Sequence, residues 1–94
     1  MQAYKAKEFA QATTLFREAL AIKKRFVPVR HPQLAVIYNN LANCFEKLGK
    51  HRQAQDLYTE SLTICDAFLP PSHPRIQQLR VKLEALMEMD LAAG

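Results

Sequence analysis

Between residues 33 and 48 the apolar side chains Leu34, Ile37, Tyr38, Leu41, Ala42, Phe45 and Leu48 recur at steps of three and four. That spacing draws one stripe along an amphipathic helix. Pro32 suits its first turn, where a missing N–H leaves nothing unpaired, and Gly49 suits its end, where the chain turns left-handed. A second stripe follows in Ala54, Leu57, Tyr58, Ser61, Leu62 and Cys65, and it stops before Pro70-Pro71, because a residue ahead of proline is pushed out of helical geometry. Ala12, Leu15, Phe16, Ala19 and Leu20 trace a similar helix upstream, and Ile76, Leu79, Leu83 and Leu86 trace a last one over residues 74–90. The pattern predicts an all-α chain of about four helices.

The two inner units are written twice. Residues 7–32 laid over residues 49–74 give ten identities in 26 positions, among them Ala12/Ala54, Leu15/Leu57, Ile22/Ile64, Phe26/Phe68, Pro28/Pro70, His31/His73 and Pro32/Pro74. A period of 42 signals a stacked array, in which each hairpin hides the apolar flank of its neighbour. The repeated phrases "FVPVRHP" and "FLPPSHP" are then punctuation: one proline ends a helix, the next begins one, and the aromatic packs back on the completed pair. His31 and His73 read as polar cap residues, since no other ligand type stands at metal-binding spacing.

Tyr38, Leu41-Ala42, Phe45, Gly49, Ala54, Tyr58 and Ser61-Leu62 together resemble the tetratricopeptide repeat. The period of 42, the "HP" opening and the "NNLA" element are most similar to the longer variant of kinesin light chains and related scaffolds. The resemblance implies an α-solenoid of antiparallel helix hairpins. A partial repeat falls in residues 1–31, a complete one in 32–73 and a C-terminal capping helix in 74–91. Small residues at Ala42, Ala54 and Ser61 let the two axes of a hairpin approach, while Tyr38, Phe45 and Tyr58 fill the space between hairpins. HEAT and armadillo arrays are the alternative fold, but they account less well for the glycine turn and the small residues.

Both ends depart from the pattern. Arg80 and Glu84 stand where Tyr38 and Ala42 stand one unit earlier, so the last helix is expected to be apolar on one side and wet on the other. Lys7 replaces Gly49, so the first helix is expected to run straight through from near Gln2. Its own partner helix would have to precede Met1. Leaving Leu15, Phe16 and Leu20 partly wet forfeits about 1.5–3 kcal/mol each, against a domain stability of about 5–15 kcal/mol. The expectation is a piece of a longer array, or a homodimer that covers these three residues.

Composition narrows the function. With 49% apolar and 23% charged residues the chain is globular in type, and no apolar run is long enough to span a membrane. A cytoplasmic location is expected, with cytoskeletal association implied by the kinesin-light-chain likeness, and no membrane partner. Cys44 and Cys65 read as buried small hydrophobes. The net charge of +4 is lopsided, with seven Lys/Arg against two acids in residues 1–31 and six against seven in residues 32–94. That asymmetry favours an acidic partner at the first end, although Lys23, Lys24 and Arg25 also suit a helix C-terminus. Nucleic acid is a third candidate, without a recognition motif or interleaved aromatics. No phosphate loop, nucleophile–base pairing or metal spacing is present, so no enzyme activity, cofactor or metal is expected.

Opposite the core stripe of residues 33–48 lie Val36, Asn39, Asn40, Asn43 and Lys47. An asparagine amide both donates and accepts, so a row of them can pair with the backbone of an extended peptide. In the family resembled, the asparagine aligned with Asn40 has this role. Gln78 and Lys82 occupy equivalent positions in the last helix, and Lys82 is expected to add a carboxylate contact. The full dicarboxylate clamp of chaperone-tail binders is not present. The leading function is capture of a protein or peptide on this face. The competing one is self-assembly through Leu15, Phe16 and Leu20.

Overall fold

Proline, histidine and glycine set the helix boundaries through local hydrogen bonding. The computed structural model describes residues 3–93, with side chains for residues 6–89. Four helices follow in order: α1 (Ala3–Lys24), α2 (Pro32–Lys47), α3 (His51–Phe68) and α4 (Pro74–Ala93). Among the described residues there is no strand. His31 N–H donates to the Pro28 carbonyl at 3.1 Å and His73 N–H to that of Pro70 at 2.9 Å, closing a turn before each proline-led helix. Each histidine Nδ1 then accepts from the backbone N–H two residues on, Gln33 or Arg75, at 3.1 Å. Both histidines are thus N-caps that satisfy donors a helix start leaves free.

At the other end of α2, Gly49 takes φ 77°. Its N–H reaches the Glu46 carbonyl at 3.0 Å, and Lys50 N–H reaches that of Phe45 at 2.8 Å. These paired bonds form a Schellman turn, which uses carbonyls that the helix end leaves unpaired. α1 has no such break and passes through Lys7 without interruption.

Each helix packs on the next, α1 on α2, α2 on α3 and α3 on α4, and among the described residues no other two helix backbones come close. This is an α-solenoid of antiparallel hairpins. Leu34, Tyr38, Leu41, Ala42 and Phe45 of α2 join Ala54, Tyr58, Ile64 and Cys65 of α3 and Ile76, Leu79 and Leu86 of α4 in one core. Ala42 and Ala54 are fully buried, and the Ser61 hydroxyl donates to the Ala35 carbonyl across the α2–α3 seam at 2.8 Å. Ala35 and Ile64, outside the expected stripes, are buried too, while Ile37 and Leu48 are only half-buried.

Two expectations are corrected. The aromatics of the repeated phrase do not pack back: Phe26 and Phe68 are exposed, and Val27 and Leu69 pack against the core instead. The reason is the helix-end bond from Val27 N–H to the Lys23 carbonyl, matched by Leu69 to Cys65, which turns the aliphatic residue inward. The buried side of α1 is also rotated from the expected stripe. Phe9, Thr13, Phe16 and Leu20 lie inward, Thr13 being buried and the other three half-buried, whereas Leu15, Ala19 and Ile22 lie outward. Arg17 over Phe45 at 5.1 Å and Lys24 over Tyr38 at 5.7 Å add cation–π contacts along the α1–α2 seam.

A Cβ on Gly49 would meet nothing within 4 Å, so only its left-handed backbone resists substitution. Gly49→Ala is expected to cost about 1–2 kcal/mol in a urea titration. A change within error of zero would mean that this turn does not constrain the hairpin.

Candidate functional site

The backbones of α2 and α4 stay apart, bridged by side chains at Lys82 and Glu46; both lean on α3, and a cleft opens between them. It encloses about 210 Å³ and is lined by Val36, Asn39 and Asn40 of α2 and by Arg75, Gln78, Leu79 and Lys82 of α4. Pockets for drug-sized ligands run to about 300–1,000 Å³, so this one suits one or two side chains of a longer chain. Asn43 and Lys47 continue the α2 face beyond the lining, Asn43 half-buried and Lys47 exposed. Among the described residues the amides of Asn39, Asn40 and Asn43 have no hydrogen-bond partner within the chain.

The two cations of the cleft differ. Lys82 is half-exposed and engaged by its neighbours, its Nζ 3.2 Å from the Tyr58 hydroxyl and 3.5 Å from Glu46 Oε1, and 5.3 Å from the centre of the Tyr58 ring. Tyr58, fully buried, donates its hydroxyl to the same Glu46 oxygen at 2.8 Å. One residue each from α2, α3 and α4 thereby meets at a single junction. Burial, then the hydrogen bond and charge of Glu46, pushes the Tyr58 phenol well above its ordinary range, so it stays a donor. Lys82 therefore reaches the cleft with its charge already balanced.

Glu46 stands four residues before Lys50, but the turn at Gly49 takes Lys50 out of α2 to precede α3, so Glu46 meets Lys82 instead. Arg75 was missed by the sequence reading. It stands one turn before Gln78 on the same face of α4, so the spacing that selected Gln78 and Lys82 would have found it if extended by three residues. Among the described residues its guanidinium has no carboxylate partner.

The remaining candidates fall elsewhere. Phe16 and Leu20 face α2 and pack against the core, whereas Leu15 is 65% exposed. Burial raises both the Cys44 and Cys65 thiols, partly offset by Thr13 for the first and by Arg75 and Ser61 for the second. Both are free and buried, which suits packing rather than nucleophilic work. Among the described residues no three potential ligands converge on a metal site, and no helix is long and apolar enough to cross a membrane.

Stacked helix hairpins, a glycine turn within the hairpin and a proline loop between hairpins define the class as an α-solenoid. The profile of the tetratricopeptide repeat matches residues 1–67. The chain belongs to the tetratricopeptide repeat family. Such repeats generally mediate protein–protein interaction and are typically non-catalytic. Comparison with curated proteins returns no match.

Removing the Tyr58 hydroxyl tests the junction. Tyr58→Phe is expected to cost about 1–2 kcal/mol near neutral pH, since a hydrogen bond to a charged acceptor is lost. The folded phenol holds its proton above the unfolded value of about 10, so the hydroxyl's contribution is complete below that pH and falls as pH rises beyond it. Urea titrations of both proteins should therefore converge at alkaline pH; a difference that stays constant would remove Tyr58 from the account.

Proposed function

We propose that this chain is a non-catalytic interaction module that takes an extended peptide of a partner protein along α2, between α2 and α4. The observation that carries the reading is the row of asparagine amides without internal partners beside the unpaired Arg75. Backbone groups of an extended segment would pair with Asn39, Asn40 and Asn43. Val36 and Leu79 would take an apolar side chain, and Arg75 would take an acidic one. Lys82, neutralised by Glu46, orients the wall rather than supplying the charge, and Gln78 and Lys47 extend it.

The finer family placement and the internal division are part of this reading. The 42-residue period, the "HP" openings and "NNLA" support the kinesin-light-chain-like variant, and with it a cytoplasmic, cytoskeleton-associated role. The exposure of Arg80 and Glu84 supports residues 74–91 as a cap behind a partial repeat in 1–31 and a complete one in 32–73. The Arg80–Asp66 contact, 3.9 Å between two half-exposed side chains, adds little stability there. Asn40→Ala is expected to leave the melting curve unchanged and to weaken peptide capture about tenfold. Unaltered capture would show that the α2 face is only solvated.

A second reading is favoured by one observation on α1. Leu15 and Ile22 are 65% and 57% exposed, although their counterparts one period later, Leu57 and Ile64, are half-buried and buried. Self-association would cover them. Because Phe16 and Leu20 already serve the core, the discriminating change is Leu15→Asp. It should lower the sedimenting mass without unfolding the chain, and a wild type that sediments as a monomer at micromolar concentration rejects this reading.

A further inference from the structure

The two interhelix loops are built on one scaffold and decorated differently. In both, an aliphatic residue turns into the core, a proline carbonyl accepts the histidine N–H, and the histidine caps the next helix. What differs is charge. Residues 23–31 carry Lys23, Lys24, Arg25 and Arg30 with no acid, whereas residues 65–73 carry only Asp66. α3 ends without a basic residue in its last turn, so closing such a helix does not require the cations of α1. No acidic residue lies anywhere between Glu18 and Glu46. Among the described residues none of these four cations is paired with a carboxylate.

The same loop carries the two most exposed large apolar side chains among the described residues, Val29 at 80% and Phe26 at 76%. Val29 and Arg30 are the corners of the turn closed between Pro28 and His31. Phe26 is not bare merely because α1 has one neighbour: its counterpart Phe68 is also exposed, although α3 is packed on both sides. Phe26 and Val29 both stand out in solvent, and neither lines the clefts at α2–α4, α2–α3, α1–α3 or on α4. A peptide needs a groove to grip, whereas a lipid surface yields around a protrusion.

We propose that the α1–α2 loop is a peripheral docking site for an anionic membrane surface. Phe26 and Val29 enter the boundary between headgroups and acyl chains, while Lys23, Arg25 and Arg30 stay at the lipid phosphates on their flexible stems. Lys24, over the Tyr38 ring, contributes from the side. Two apolar side chains alone bind marginally, so attraction to anionic lipid is required as well. A membrane contact here departs from the expectation of no membrane partner, which rested on the lack of a spanning run; a peripheral contact needs none.

The test is flotation of the full chain with vesicles of phosphatidylcholine, alone or with about one-third phosphatidylserine. Binding is expected on the anionic vesicles only, and to weaken as salt is raised. Each basic residue at such a surface is worth roughly fivefold, so Arg25→Gln with Arg30→Gln should lower partitioning about thirtyfold. Phe26→Ser with Val29→Ser should lower it at least about tenfold. All four residues are exposed, so circular dichroism should confirm that both variants keep the wild-type helix content. Arg80→Gln removes one exposed charge away from the loop and should change nothing. The proposal is overturned if the chain ignores anionic vesicles, if Arg80→Gln weakens binding as much as one loop arginine, or if an oligonucleotide or polyglutamate binds the loop while vesicles do not.

Discussion

The arrangement depends on how closely α2 and α3 approach. Ala42 and Ala54 leave no side-chain bulk in the seam, and the Ser61 hydroxyl bonds directly to the backbone carbonyl of Ala35. That distance sets where Leu34, Tyr38 and Ile64 interdigitate, and so the angle at which α1 and α4 can add to either side. A larger residue in the seam would force the axes apart and disturb both outer contacts, because packed interiors have little slack.

With α3 fixed against α2, the cleft follows from geometry. The backbone of α4 packs on α3 and stays clear of that of α2, and the space between α2 and α4 stays open to solvent. The junction of Glu46, Tyr58 and Lys82 then ties one residue of each helix together at the Lys82 end of that space. It holds the cleft's shape and removes a charge from it. The free positive charge of the cleft comes to lie with Arg75 at one end, beside the asparagine row rather than opposite its whole length.

The duplicated loop separates what the scaffold requires from what it tolerates. Prolines, capping histidines and an inward aliphatic residue recur in both loops because hydrogen bonding and core packing depend on them. The basic residues around Phe26 and Val29 occur in one loop only, and neither packing nor capping in the other needs them. Features of that kind are where function is most economically sought, since folding does not explain them.

Much of this was legible in the amino-acid order because its signals are local. Proline geometry, the left-handed preference of Gly49, histidine capping and the stripes of α2, α3 and α4 each rest on residues within a turn or two of one another. So did the outward face that carries Asn39, Asn40 and Asn43. The tertiary structure alone decided which side of α1 is covered, because Leu15 and Phe16 are equally apolar and differ only in where α2 lies. It decided that Val27 rather than Phe26 enters the core, that Glu46 answers Lys82 on another helix rather than Lys50 nearby, and that Arg75 joins the cleft. Each of these turns on the position of a neighbour distant in the chain, which no local pattern encodes.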